Sequence, residues 1–389
     1  MCRTRSDPKS RNTDPVGTPD ELVDLAATIR SFVDQASRGL VGRRSLIELT
    51  FLAAVAQEHV LVIGPPGTAK SQAVRQIAEI TGDRYFEYLL GRFTEPNELF
   101  GPVDLAALRD GRVVIDTTDM LPEAELVFLD EVFLGSSAIL NTLLGILNER
   151  VFRRGHTLRA CPLRICVGAS NELPTDPNLA AFADRFLVRV FVDSISDPHL
   201  DELLAVGWGA SRPQVPGDGE RSGGVLDVAA AFVDAVDLSG VRPDLAQCVR
   251  LLRSQGILLS DRRIVRTQRL VAAAAVLDGR LVATRADLWA VVSVVPTAPD
   301  QERAAEVLHD VLAETRNRVA ESAAEDASNG PEARAARILT AASEVEALPP
   351  GEDRRLRLEG IAREIDATFA PGSMPEEVAR VRAWIIEMT

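Results

Sequence analysis

Short apolar runs alternate with amphipathic stretches along the first half of the chain. Five of the runs have the length of a strand and contain few polar residues: Val60–Ile63, Tyr85–Leu90, Leu126–Leu129, Ile165–Ala169 and Phe186–Val192. Between them, and from Asp20 to about Glu58, apolar residues recur with helical spacing. Apolar strands that alternate with helices are typical of a parallel sheet covered on both faces. The pattern therefore predicts an α/β fold with a parallel five-stranded sheet and helices on both of its faces.

The same pattern predicts how the chain is divided. Residues 1–18 are polar and are predicted to be a disordered leader. Residues 19–206 are predicted to form the α/β core, and the Pro- and Gly-rich residues 207–224 a linker. Over 225–297 the helical spacing continues without strand-like runs, which predicts an α-helical lid domain. Residues 298–389 are predicted to be a helical C-terminal region.

Two short hairpins are predicted within the core. The dipeptide Asp110-Gly111, between the apolar runs Leu105–Leu108 and Val113–Ile115, is typical of a tight hairpin turn. A second hairpin is predicted around Arg154-Gly155-His156. Because this hairpin is rich in arginine, it is either a contact for an acidic partner segment or a solvated surface hairpin.

The strongest chemical signal follows the first strand and opens a helix: Gly64-Pro65-Pro66-Gly67-Thr68-Ala69-Lys70-Ser71. Backbone N–H groups of such a loop form an anion-binding concavity at a helix N-terminus. Lys70 is then expected to reach the β- and γ-phosphates of ATP, and the Ser71 hydroxyl to bind Mg²⁺. Ala69 stands where the usual motif has glycine. Only two of the 389 residues are lysine, Lys9 and Lys70, and a plain Gly/Pro turn would not require a lysine at this position.

Acidic and amide side chains follow two further predicted strands. Asp130 and Glu131 end one strand, and Asn171 follows another. Side chains at the carboxyl ends of parallel strands line the crevice in which such sheets bind ligands. We therefore predict that Asp130 holds Mg²⁺, that Glu131 polarises the water attacking the γ-phosphate, and that Asn171 orients this water. A solvated strand end and an asparagine in a turn are the alternatives.

Charge and composition narrow the function classes. The net charge of −14 and the pI of about 4.9 argue against a nucleic-acid-binding surface and disfavour a DNA-translocating helicase. An apolar run of 18 residues is absent from the sequence, as is an N-terminal h-region, so neither membrane insertion nor a signal peptide is predicted. The four cysteines show no CxxC pair. We expect a cytoplasmic protein.

These segments together resemble the AAA+ ATPases, and within them the MoxR group. The similarity is greatest to its branch named regulatory ATPase variant A (RavA) and extends from about Arg38 to Trp289. Besides the phosphate loop, it rests on Glu87–Phe93, Phe100–Pro102, Leu121–Glu125, Ile139–Leu144, Asn148–Arg150, Ala169–Pro174 and Ser260–Arg263. After Pro296 the resemblance weakens, because the remaining residues are too few for the β-rich insertion of RavA-type proteins.

The resemblance implies roles that spacing does not assign. Asn171 matches the first sensor of this family. Arg185 matches the arginine finger, which reaches the ATP of a neighbouring subunit; an ion pair with Asp184 is the alternative. Arg262 matches the second sensor, which contacts the γ-phosphate, although the adjacent Arg263 could serve instead. Val41 resembles the loop that borders the adenine, and an ordinary turn is the alternative there.

The resemblance also implies an activity. Members of the group bind ATP and Mg²⁺ and hydrolyse ATP at the subunit interfaces of a homohexameric ring. They drive the chaperone-like remodelling or assembly of a partner complex, usually with a von Willebrand factor A (vWA) domain protein. The alternative function is a nucleotide-dependent scaffold or switch with slow ATP turnover, which would use the same residues.

Overall fold

The computed structural model describes residues 18–195, 203–204, 224–328 and 374–388, together with isolated positions at 200 and between 338 and 369. The predicted leader and the predicted linker fall almost entirely outside the described residues. Among the described residues, no helix is both long enough and apolar enough to cross a membrane.

The described part of the chain contains seven strands, which form two sheets. They are β1 (Val60–Ile63), β2 (Tyr85–Leu89), β3 (Leu126–Asp130), β4 (Val151–Arg154), β5 (Thr157–Ala160), β6 (Ile165–Ser170) and β7 (Val188–Phe191). Five of them form a parallel sheet in the order β2-β3-β6-β1-β7. The predicted parallel five-stranded sheet is therefore confirmed. In this order β1 lies between β6 and β7, so the loop after β1 lies beside the ends of both.

Helices cover both faces of the sheet and continue beyond it. The helices of the sheet region are α1 (Pro19–Ala36), α2 (Arg44–Ala56), α3 (Lys70–Thr81), α4 (Pro96–Phe100), α5 (Leu105–Arg109), α6 (Ser137–Glu149) and α7 (Pro177–Ala183). Those that follow are α8 (Val225–Val233), α9 (Arg242–Ser254), α10 (Asp261–Leu277), the 3₁₀ helix Arg285–Val294, α11 (Ala298–Val307), α12 (His309–Leu312), α13 (Glu321–Ser328) and α14 (Glu376–Met388). The later part of the described chain is thus helical, as predicted.

Alternation along the strands creates two hydrophobic cores. Val60 and Val62 of β1 point into a core shared with α1, α2 and α3, whereas Leu61 and Ile63 point into a core that includes α6. Successive residues of a strand face opposite sides of a sheet, and both faces of this sheet are covered. This explains why the strands are continuous apolar runs.

The lid helices share the first of these cores with the sheet. Trp289 of the 3₁₀ helix and Leu270 of α10 are fully buried in the same cluster as Phe51 of α2. A buried arginine, Arg263, reinforces the contact because its guanidinium donates to the carbonyl oxygens of Leu187 at 2.5 Å and of Val294 at 2.7 Å. The lid and the sheet therefore pack as one continuous unit.

One of the two predicted hairpins is wrong. Residues 105–109 form the helix α5 instead of a strand, because the Asp104 carboxylate accepts hydrogen bonds from the N–H groups of Ala106 and Ala107 and caps the helix. The Gly111 turn leads only to an isolated antiparallel bridge between Val103 and Ile115. The second hairpin is confirmed, since β4 and β5 pair antiparallel around Gly155.

Candidate functional site

The phosphate loop joins the carboxyl end of β1 to the first residue of α3, Lys70. The Lys70 Nζ donates to the carbonyl oxygens of Gly64 at 2.7 Å and Pro65 at 2.8 Å, so the amine lies inside the curve of the loop. Burial lowers the pKa of Lys70, while the nearby charges of Asp130 and Glu131 act in the opposite direction. A buried ammonium held only by carbonyl oxygens is a suitable partner for the oxygens of a phosphate.

Two positions of the loop explain its sequence. A Cβ atom on Gly64 would lie 2.0 Å from the carbonyl oxygen of Val192, so only glycine fits there. Ala69 takes a left-handed conformation, with φ of +59°. That conformation costs a non-glycine residue about 1–2 kcal/mol. The loop therefore keeps the backbone shape that glycine favours, although alanine stands in place of the usual glycine.

A cavity of about 340 Å³ lies against the loop. Its walls include Leu40, Val41, Pro66, Gly67, Thr68 and Ile195. The volume lies at the lower end of the range for small-molecule sites, which begins at about 300 Å³. The buried Val41 lines this cavity beside the phosphate loop, which is where a residue bordering the adenine would have to lie.

The predicted acids and the amide meet at the same edge of the sheet. The Asn171 Nδ2 donates to the Glu131 Oε1 at 2.7 Å, and the backbone N–H of Glu131 donates to the Asp130 Oδ1 at 3.0 Å. Glu131 has a φ of +49°, so its side chain leaves the end of β3 through a left-handed residue. Sequence reasoning therefore placed Asp130, Glu131 and Asn171 correctly at one edge, together with Lys70.

The donor chemistry of this edge suits a magnesium nucleotide. Ser71 lies in the first turn of α3, and Asp130 is the last residue of β3. Hydroxyl and carboxylate oxygens are the protein ligands that Mg²⁺ prefers, together with phosphate oxygens. The loop, the ammonium and the cavity thus fit ATP, and Ser71 and Asp130 fit the metal ion that accompanies it.

Arg185, predicted as the finger that reaches a neighbouring subunit, and Arg262, predicted as the second sensor at the chain's own γ-phosphate, both lie at the opposite edge of the sheet. Arg185 precedes β7, and β7 runs parallel to β1 with Val188 beside Val60, so Arg185 lies at the amino end of the strands. Arg262 is the second residue of α10 and donates to Asn148 Oδ1 at 2.7 Å. Burial and then the nearby charge of Arg185 lower the pKa of Arg262. The structure brings these two arginines together, about 13 Å of strand away from the chain's own phosphate loop.

Arg263 differs from Arg262 in its surroundings. Its side chain is almost fully buried, and its guanidinium donates to Asp184 Oδ1 and to the carbonyl oxygens of Phe186, Leu187 and Val294. Those bonds occupy its donors within the chain. Arg262 is less buried and is therefore the better candidate of the two for contact with a ligand.

The arginines of the β4–β5 hairpin are engaged within the chain. Arg150 donates to the carbonyl oxygens of Leu147 and Gln57, and Arg159 forms an ion pair with Glu123 at 2.8 Å. Arg153, Arg154 and Arg164 contact Glu149, Asn97 and Asp227 respectively. The hairpin thus presents less free positive charge than its sequence suggests, which favours the solvated hairpin over a contact for an acidic segment.

Sequence reasoning missed two residues of these edges. Asn148 positions Arg262, although it lies 114 residues before it. Arg43, at the entrance to α2, is buried and contacts the phosphate loop. Asn148 lies in Asn148–Arg150, one of the segments that resemble the family, but the resemblance gave it no role. Arg43 directly follows the Val41-Gly42 turn, and this position is the signal that could have drawn attention to it.

Comparison with known proteins gives two family matches. Residues 27–220 match the family described as the MoxR domain in the MoxR-vWA-beta-propeller ternary systems, and residues 237–308 match the AAA lid domain. A crystal structure of a protein from Cytophaga hutchinsonii, assigned as an ATPase, has a TM-score of 0.60 at 15% identity, covering 77% of this chain and 97% of that chain. This structural likeness supports the fold alone.

Relatives support the same family. An uncharacterized protein of Methanocaldococcus jannaschii is 40% identical over 263 residues, which are 67% of this chain and 69% of that protein. Chaperone MoxR1 of Mycobacterium tuberculosis is 26% identical over 204 residues, or 51% of this chain and 53% of that protein. Protein MoxR of Paracoccus denitrificans is 28% identical, and this chain spans 52% of its length. The chain spans only about half the length of these two named relatives. With the phosphate loop, the acids and the lid in place, the chain belongs to the MoxR family of AAA+ ATPases.

Proposed function

We propose that this protein hydrolyses ATP at sites shared between neighbouring subunits of a ring, as a chaperone-like remodelling ATPase. The observation that carries the proposal is the separation of the two edges of the sheet. Lys70, Glu131 and Asn171 lie at the carboxyl edge, whereas Arg185 and Arg262 lie together at the amino edge. Arginines on that edge are suited to the ATP of a second copy of the chain, and a hexamer is the ring we expect.

The residues of the carboxyl edge have distinct tasks in this proposal. Lys70 exchanges its bonds to the carbonyl oxygens of Gly64 and Pro65 for phosphate oxygens. Glu131 polarises the attacking water, and Asn171 orients both Glu131 and that water. Mg²⁺, held by Ser71 and Asp130, would neutralise charge on the phosphates. The neighbour's Arg185 and Arg262 stabilise negative charge that develops on the transferred phosphoryl group.

The partner is proposed from the family description. A MoxR domain of ternary systems with vWA and beta-propeller proteins is the family matched by residues 27–220. We therefore propose a vWA-domain protein as the partner, in the cytoplasm, and the assembly or activation of a complex as the outcome. The RavA branch stays a prediction of the sequence.

A second function deserves the same test. The bond between Asn171 and Glu131 holds the proposed catalytic carboxylate in place. If it persists with ATP bound, turnover would be slow and the protein would act as a nucleotide-dependent switch. Glu131→Gln separates the two functions, because a remodelling motor loses its effect on the partner, whereas a switch stays in its ATP-bound, active form.

The experiment that tests the shared site is ATP hydrolysis per subunit against protein concentration, for wild type and Arg185→Ala. We expect specific activity to rise with concentration, and the variant to bind ATP but to hydrolyse it about 10³-fold more slowly or worse. Arg253→Ala, at an exposed position of α9, is the control and should match wild type. Activity that is independent of concentration and of Arg185 would contradict the proposal.

A further inference from the structure

Arg43 joins three walls of the nucleotide cavity. Its Nε donates to the carbonyl oxygen of Thr68 in the phosphate loop at 2.8 Å, and its Nη2 donates to the carbonyl oxygen of Asp193 after β7 at 2.8 Å. Its Nη1 donates to the carbonyl oxygen of Gly42 at 2.9 Å. The side chain is only 7% exposed. A single guanidinium therefore ties the turn before α2, the phosphate loop and the segment after β7 to one another.

The backbone of Arg43 is itself fixed. It is the residue before α2, and its carbonyl oxygen accepts the first bond of that helix, from the N–H of Ile47. The helix is buried over most of its length. The backbone that carries the guanidinium is therefore rigid. We expect the contacts of Arg43 to fix the position of the loop.

The bond to Thr68 bears directly on the unusual residue of the loop. The carbonyl of Thr68 and the N–H of Ala69 belong to one planar trans peptide, in which the two groups point in opposite directions. By holding the Thr68 oxygen, Arg43 fixes the direction of the Ala69 N–H. It also holds in place the left-handed backbone of Ala69, which glycine would adopt freely and alanine does not.

The surroundings of Arg43 favour an anion nearby. Its three acceptors are neutral carbonyl oxygens, and burial lowers its pKa, with the Asp193 charge acting in the opposite direction. The charge of Arg43 also acts on Lys70, because it is one of the causes that lower the pKa of that lysine. Two buried cations thus lie close together beside the loop, and a polyphosphate would relieve their mutual repulsion.

We infer that Arg43 is a positioning residue for nucleotide binding, which holds the phosphate loop in its binding conformation and replaces the conformational freedom lost with alanine at position 69. The inference rests on the proposed function, because it concerns the same ATP site. Arginine suits the task since it has three separate donor nitrogens in a rigid fork, whereas lysine offers one flexible ammonium and glutamine one neutral amide.

The test is a double-mutant cycle of Arg43→Gln and Ala69→Gly, read by titration of a fluorescent ATP analogue and of ADP, together with thermal unfolding without nucleotide. We expect Arg43→Gln to weaken nucleotide binding about 10- to 100-fold, as for the loss of bonds from a charged donor. Ala69→Gly alone should change affinity by less than about threefold. The double variant should recover at least about threefold of the loss, because glycine needs no support in the left-handed conformation.

Controls separate this role from general stability. Arg280→Ala removes a half-buried arginine that bonds Asp278 and Asp287 in the lid, far along the chain from the loop, and should lower the unfolding temperature while leaving affinity unchanged. If Arg43→Gln does not fold, Arg43→Lys replaces it, with an intermediate loss of affinity and the same recovery by Ala69→Gly.

The outcomes are distinct. Affinity of the Arg43 variant within about threefold of wild type would overturn the inference, as would a double variant that binds no better than the single one. Both results leave the proposed function intact if wild type binds ATP. If wild type and Arg280→Ala fail to bind ATP, the proposed function itself is wrong and the inference falls with it.

Discussion

The two edges of the central sheet differ in how they are assembled. At the carboxyl edge, the loop after β1 and the ends of β3 and β6 bring together an ammonium, two carboxylates and an amide from one chain. At the amino edge, Arg185 before β7 and Arg262 at the start of α10 lie close together, beside Asn148 at the end of α6. The phosphate-binding loop of the same chain lies at the other edge. One edge supplies the residues that we propose bind ATP, and the other supplies arginines that we propose reach the ATP of a neighbouring subunit.

This difference suggests how activity depends on assembly. Because the lid packs into the same core as the sheet, Arg185 and Arg262 keep a fixed relation to each other within the subunit. In the proposed ring, both arginines would therefore reach the nucleotide of the neighbouring subunit together. Changes in ATP state would then alter the contact between subunits more than the packing inside one subunit.

Mixing two inactive variants tests the comparison most severely. Lys70→Ala destroys the carboxyl edge and leaves the arginines, whereas Arg185→Ala does the reverse. Each alone should be inactive, and an equal mixture should recover about a quarter of the wild-type ATPase rate, because that share of randomly formed interfaces pairs an intact loop with an intact finger. Mixing Lys70→Ala with Glu131→Gln is the control and should stay inactive, since both variants damage the same edge.

The two adjacent arginines of α10 are expected to separate stability from activity. Arg263→Ala leaves the Asp184 carboxylate and several buried carbonyl groups without their donor, so the free energy of unfolding should fall by about 3–5 kcal/mol. Arg262→Ala loses one bond to Asn148 and should cost less than about 1 kcal/mol while lowering the ATPase rate. Urea unfolding and steady-state hydrolysis of both variants provide the measurement. Equal effects on stability would remove the distinction between them.

Two glycines of the phosphate loop offer a test confined to the carboxyl edge. Gly64→Ala would place a Cβ 2.0 Å from the carbonyl oxygen of Val192 and should destabilise the fold by roughly 2–4 kcal/mol. Gly67→Ala meets no atom within 4 Å, but its φ of +80° is unfavourable for alanine, so we expect a loss of about 1 kcal/mol. Thermal unfolding without nucleotide compares them. A larger loss for Gly67→Ala would mean that backbone strain outweighs the close contact.

The last prediction concerns the pH dependence of stability, which must be known before the activity profiles of the two edges are compared. Glu48 of α2 is fully buried and accepts a bond from the N–H of Ala323, and burial raises its pKa from 4.5 to about 7. Between about pH 4.5 and pH 7, Glu48 therefore stays protonated in the folded protein, whereas it has lost this proton in the unfolded chain. Its contribution is fully present below about pH 4.5 and is lost as the pH rises through about 7, amounting to roughly 3 kcal/mol. Urea midpoints at pH 5 and pH 8 should show this decline in wild type and a smaller one in Glu48→Gln.

The sequence predicted the carboxyl edge far better than the amino edge. Parallel strands buried on both faces are continuous apolar runs, and the loop and acids follow them directly, so local patterns place Lys70, Asp130 and Asn171. The hairpin predicted from Asp110-Gly111 was wrong because the Asp104 carboxylate caps a helix before the turn. Whether Arg262 or Arg263 is buried depends on which side of α10 faces the sheet. The hydrogen bond between Arg262 and Asn148 joins residues that are 114 positions apart. Such contacts follow from topology and leave no local pattern.

The scarcity of lysine has a practical consequence for chemical labelling. Among the residues that the structure describes, Lys70 is the sole lysine, and the chain has one other, Lys9. An amine-specific reagent can therefore modify only one side chain of the described protein, and that side chain lies where phosphate would bind. Mass spectrometry of the two labelled peptides would then measure nucleotide occupancy directly, with Lys9 as the internal standard.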